Sequence, residues 1–137
     1  VASGTGASQV KQLKVRYITP ADSAKFIEWI NNTPANLYDK DVLQYPTLQV
    51  LVSYGADEVA FLPMQQVLML ESLAVKQGAS PMETAQAFRD LVKGAELHAS
   101  GKGIKELWFT CRDEGVLKVA EGHGFERMEF PIVRMKL

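Results

Sequence analysis

A fold of mixed α and β structure is predicted by three stretches of the sequence. Residues 48–54 (LQVLVSY) and 58–64 (EVAFLPM) are β-rich and separated by Gly55-Ala56-Asp57, the pattern of a hairpin. Residues 67–75 (VLMLESLAV) are apolar at both parities, as in a strand covered on both faces. From Ser80 onward, Ala85, Phe88, Leu91, Val92 and Ala95 recur at helical spacing. In full, the order reads β-α-(α)-β-β-β-α-β-α-β, with meandering strands first and crossover helices last. That order predicts an α/β (α+β) domain with a mixed, mostly antiparallel sheet flanked by helices.

Composition narrows the class. The 137 residues suffice for one domain with a core. Apolar residues make up 47% and charged residues 23%, a globular mix. A formal net charge of −1 and the lack of a Lys/Arg run supply no basic face, so no nucleic acid is expected as partner. The single cysteine, Cys111, has no intrachain partner and suits a reducing compartment. No apolar run has membrane-spanning length and no leader is read, so a soluble, cytoplasmic protein without a membrane partner is expected. A homodimer is compatible with this reading.

Residues 1–12 (VASGTGASQVKQ) are rich in Gly, Ser and Ala and are expected to be a flexible tail, leaving 13–137 as a single domain. Residues 13–18 (LKVRYI) alternate as a half-buried strand does. Thr19-Pro20-Ala21-Asp22 has the grammar of a helix start: a capping hydroxyl, proline at the first position and an acid in the first turn. Ala24, Ile27 and Ile30, with Phe26 alongside, predict the apolar side of that helix, which Pro34 ends. Residues 36–44 predict a short second helix with Leu37, Val42 and Leu43 inward. Pro63 marks its strand as an edge or a strand end.

Ser80-Pro81-Met82-Glu83 opens the long helix, and Gly101 or Gly103 closes it. Residues 106–111 (ELWFTC) read as another buried strand. Residues 113–122 read as a short helix with Val116, Val119 and Ala120 inward, and Gly124 as its left-handed exit. Residues 125–137 are expected to be a final strand or strand pair, with a bulge or break at Pro131 where the inward parity changes.

The letters of residues 70–85, LESLAV and the helix start after it, together with 113–125, ending in Gly124-Phe125, resemble the GNAT superfamily of acyl-CoA-dependent N-acetyltransferases. In element order the likeness covers residues 13–137. The resemblance implies a GNAT-like sheet and transfer of an acetyl or other acyl group from acyl-CoA to a small-molecule or peptide amine by direct attack. Acyl-CoA would lie along the backbone of Leu73, Ala74 and Val75. Its pyrophosphate would rest on the loop and helix start that include Ser80, Met82, Glu83, Thr84 and Ala85, with Lys76 and Lys118 facing the phosphates. Residues 31–38 would border the acceptor pocket. Glu71, the only charge within residues 67–75, would be the general base, with burial raising its pKa toward a useful value.

The sequence also departs from the family pattern. That pattern follows the strand valine with Arg/Gln-x-x-Gly-x-Gly/Ala; the corresponding residues here are Ser80, Glu83 and Ala85, of which only Ala85 fits. Ser80 and Glu83 form a capping-box pair instead. A diphosphate would then meet a carboxylate: two unit charges about 4 Å apart repel by roughly 4 kcal/mol at an effective dielectric near 20. The family's proton-donating Tyr corresponds to Ala120, and the Asn before it to Asp113.

Three functional expectations therefore stand: a GNAT-like acyltransferase with an altered cofactor loop, a catalytically silent GNAT-fold binding or structural module, and a ferredoxin-like ligand-binding domain. His98, Cys111 and His123 match no zinc spacing, so no metal is expected. Trp29, Trp108 and Phe109 are expected in the core.

Overall fold

The computed structural model describes residues 14–34 and 39–137. The expected tail lies outside the described residues, as does the first part of the expected second helix. The chain divides into two compact units, Val1–Gln66 and Val67–Leu137. The fold is mixed α and β, with a three-stranded antiparallel sheet and a small parallel pair.

In the first unit, β1 (Val15–Tyr17), β2 (Gln49–Tyr54) and β3 (Glu58–Met64) form an antiparallel sheet in the order β1-β2-β3. The hairpin expected from Gly55-Ala56-Asp57 is present. Gly55 N–H donates to Asp57 C=O at 2.8 Å, and a register shift falls between Ser53 and Tyr54. Pro63, opposite Val50, sits in β3, an edge strand among the described residues, where its missing N–H costs no ladder bond.

Helix α1 (Ser23–Asn32) covers one face of this sheet through Phe26, Ile30 and Val50, with Ile18, Leu43, Leu48 and Phe61 packed around them. Phe61 meets Phe26 and Trp29 edge-on, at centroid distances of 5.4 and 4.9 Å. The buried stripe thus runs Phe26, Trp29, Ile30. The expected Ala24 and Ile27 are exposed, because the two aromatic rings claim the face toward the sheet. Lys40–Gln44 form a 3-10 turn, the described part of the expected second helix.

β1 inverts its expected parity. Val15 and Tyr17 are exposed, and Arg16 is half-buried. The cause lies six residues on: Asp22 is only 6% exposed, and Arg16 reaches both of its oxygens, at 2.7 and 3.2 Å. A buried carboxylate requires a partner, so the guanidinium turns in and its apolar neighbours turn out. Thr19 N–H also donates to Asp22 Oδ2 at 2.7 Å, so the expected helix start closes as a capping box. Guanidinium and Thr19 N–H together hold the Asp22 carboxyl well below the usual carboxylate range.

In the second unit, β4 (Leu68–Leu70) and β5 (Leu107–Phe109) pair in parallel, Leu68 opposite Leu107 and Leu70 opposite Phe109. Helix α2 (Pro81–Gly101) and helix α3 (Glu114–Gly122) enclose a core of Phe88, Val92 and Ala120, joined by Leu73, Leu107, Phe109, Val119 and Phe125. Leu91, expected inward, is 59% exposed; Ala99, two turns beyond Val92, is buried instead. α2 closes as expected: Gly103 has φ +70°, and Ile104 N–H returns to Ala99 C=O at 3.0 Å. Asp113 caps α3 by accepting from Val116 N–H at 3.1 Å, and Gly124 leaves it at φ +97°.

Two expectations fail here. The strand read over residues 67–75 is a ladder of only three residues. The final strand over 125–137 is not formed, since no ladder includes those residues. Arg127 is drawn onto α3 by Glu114 at 2.8 Å and Glu121 at 3.1 Å, and Pro131 has no N–H to give a ladder. Among the described residues, no helix is long and apolar enough to cross a membrane.

Candidate functional site

The turn before α2 sets the candidate site. Gly78, at φ +84°, bends the chain so that Ala79 N–H donates to Lys76 C=O at 3.3 Å and Ser80 enters as the N-cap in an extended conformation. An α-helix begins with four N–H groups that its own turns cannot satisfy. The four here can be followed one by one. Ser80 N–H donates to Glu83 Oε1 at 3.0 Å, and Glu83 N–H donates to Ser80 Oγ at 3.1 Å. Pro81 has no N–H. Of these four, only the Met82 N–H has no acceptor among the described residues.

Among the described residues, the cation brought to this helix start is taken too. Lys76 Nζ lies 3.5 Å from Glu83 Oε2. Ser80 N–H, the Ser80 hydroxyl and Lys76 together lower the Glu83 pKa, so the carboxylate keeps its charge at neutral pH. Lys118 is exposed on α3. Thr84 and Ala85 are half-buried, and Met82 is 82% exposed.

β4 and β5 part company just above their ladder. Thr110 N–H donates to Leu70 C=O at 3.0 Å, and Ser72 Oγ donates to Thr110 C=O at 3.0 Å. Beyond that point no backbone hydrogen bond joins Leu73, Ala74 or Val75 to another described residue. Leu73 turns its side chain into the core, while Ala74 and Val75 are exposed. Glu71 stands one residue past the end of β4. It is exposed, accepts a 3.4 Å hydrogen bond from Thr110 Oγ1, and lacks the burial expected of it. Ala120 is 2% exposed in the core, without a side-chain proton donor.

The remaining candidates also separate. Cys111 is half-buried beside the cap of α3, where Asp113 N–H points at its sulfur at 3.4 Å. The exposed His123 ring stacks on Phe88 at 5.7 Å. No group of three His, Cys, Asp or Glu able to hold a metal comes together among the described residues. Of residues 31–38, those from 35 to 38 lie outside the described ones. No protein-family model matches the chain, and no curated protein matches it.

One feature was missed in the sequence. An apolar groove of about 650 Å³ runs beside β5 and α3, lined by Trp108, Phe109 and Phe125 among others. Trp108, expected in the core, is only half-buried and borders it, its Nε1–H donating to Glu106 Oε1 at 2.8 Å.

Proposed function

We propose that the chain is a GNAT-like module that does not transfer acyl groups and serves instead in binding or structure. The observation that carries this reading is Glu83 seated in its own helix start. Its carboxylate occupies the Ser80 N–H and the Lys76 ammonium that an incoming phosphate would use. Two further observations support it. Glu71 is exposed rather than desolvated, and Ala120 has no proton to give a leaving thiolate.

A second reading, the acyltransferase with an altered loop, is favoured by the parting of β4 and β5. It leaves the backbone of Leu73, Ala74 and Val75 open to an extended amide-bearing ligand such as the pantetheine arm of acetyl-CoA.

Thermal melting with about 1 mM acetyl-CoA separates the two. The proposed reading expects no shift in Tm. A ligand at a hundred times its Kd adds about 2.7 kcal/mol, worth several degrees at this size. A rise of that order would overturn the non-catalytic reading. In that event Glu83→Gly should tighten acetyl-CoA binding, by removing the carboxylate that competes with its diphosphate.

A further inference from the structure

β5 has one side occupied and one side open. In a parallel pair, alternate residues aim their backbone groups at the partner strand. Glu106 and Thr110 aim theirs at β4, taking and giving bonds of 3.1 and 3.0 Å with Leu68 and Leu70. Leu107 and Phe109 therefore present N–H and C=O on the opposite side, where no described strand pairs with them. An open strand edge beside apolar surface is a template for another strand.

The groove along this edge has an apolar floor with acidic side chains on it, including Glu96, Glu106 and Glu126. Residues 133–137 (VRMKL) carry the complementary pattern. Val133, Met135 and Leu137 share one parity and are exposed at 94%, 81% and 112%, while Arg134 and Lys136 share the other. The chain's own Phe125, Met128 and Ile132 already line the groove. Its residues 133–137 lie exposed, outside the groove.

We propose that residues 133–137 of a second copy of this chain add as a strand to the free edge of β5. They pair with the backbone of Leu107 and Phe109, bury Val133 and Met135 against the groove, and set Arg134 and Lys136 among its carboxylates. Each copy gives one strand and receives one, so the contact closes as a two-fold dimer. The inference stands whichever reading of the helix start holds.

Sedimentation velocity over about 1–300 μM tests it. A monomer–dimer equilibrium is expected, and a monomer throughout overturns the proposal. Val133→Asp combined with Met135→Asp should raise the dimer Kd at least tenfold, since each places a charge where an apolar side chain is buried. A smaller rise overturns the proposal and puts the interface elsewhere. Both positions are exposed within one copy, so the monomer fold should survive. Hydrogen exchange on the unaltered chain gives an independent readout. The Leu107 and Phe109 amides should exchange more slowly as concentration rises. Protection independent of concentration would mean that the chain closes its own edge, and would overturn the second-copy assignment.

Discussion

Two helix starts in this chain are written in the same grammar. Thr19-Pro20-Ala21-Asp22 and Ser80-Pro81-Met82-Glu83 each place a hydroxyl at the cap, proline next and an acid at the third position. Both close as capping boxes. Their surroundings differ. Asp22 is 6% exposed and gripped by Arg16 through two oxygens, the nearer at 2.7 Å. Glu83 is 56% exposed, and Lys76 stands off from it at 3.5 Å. A local motif fixes where a helix begins. The tertiary partner decides whether its acid is locked into the fold or left where a ligand could displace it.

The largest effect is expected from breaking the locked one. Asp22→Asn keeps the shape but leaves the Arg16 guanidinium without its counter-charge. Tm should fall by roughly 5–10 °C, as is usual when one partner of a part-buried, doubly hydrogen-bonded pair is removed. The dependence on pH follows from the direction of the shift. Asp22 has a lower pKa folded than unfolded, so its contribution is complete above the ordinary aspartate value of about 3.9. It is withdrawn as pH falls below that value toward the folded pKa. The difference in Tm between the unaltered chain and Asp22→Asn should thus shrink between about pH 5 and pH 2. A difference that stays constant across that range would show that Asp22 contributes by shape alone.

Ser80→Ala sharpens the other side of the comparison. It removes the acceptor for Glu83 N–H but leaves Glu83 able to accept from Ser80's backbone. Loss of such a cap costs about 1 kcal/mol, or a few degrees in Tm. A loss as large as that of Asp22→Asn would mean that the exposed helix start is held as firmly as the buried one.

The comparison also marks how far the sequence was legible. Both helix starts were readable, and the Ser80–Glu83 box with them, because cap and acid are three residues apart, a spacing that the helix itself brings together. So were the hairpin at Gly55-Ala56-Asp57 and the glycine exits at Gly103 and Gly124, all local features. The inward turn of Arg16 was not readable, because alternation reports polarity and Arg16 goes inward only to meet Asp22. Nor was the end of β4: residues 71–75 are apolar enough to continue a strand, but a ladder stops where its partner diverges, and that is a property of two segments. The same limit hid the exposure of Glu71 and the groove beside β5. Of the candidate site, the Ser80–Glu83 box was visible and the approach of Lys76 was not, since it depends on the bend that Gly78 makes.

Lys76→Ala is expected to have the smallest effect and bears most directly on the binding reading. Its ammonium is 74% exposed and reaches Glu83 only at 3.5 Å, so water competes with the contact and salt screens it. Tm should move by less than about 1 °C. Glu83 should still hold Ser80 N–H, because that hydrogen bond is the largest cause of its lowered pKa and Lys76 is a lesser one. Carbon-detected titration of the Glu83 carboxyl would read this directly. Its pKa should rise only slightly in Lys76→Ala and more in Ser80→Ala. The reverse order would make the ion pair, rather than the helix start, the anchor of that carboxylate. The site would then be one that a competing anion could open by drawing Lys76 away.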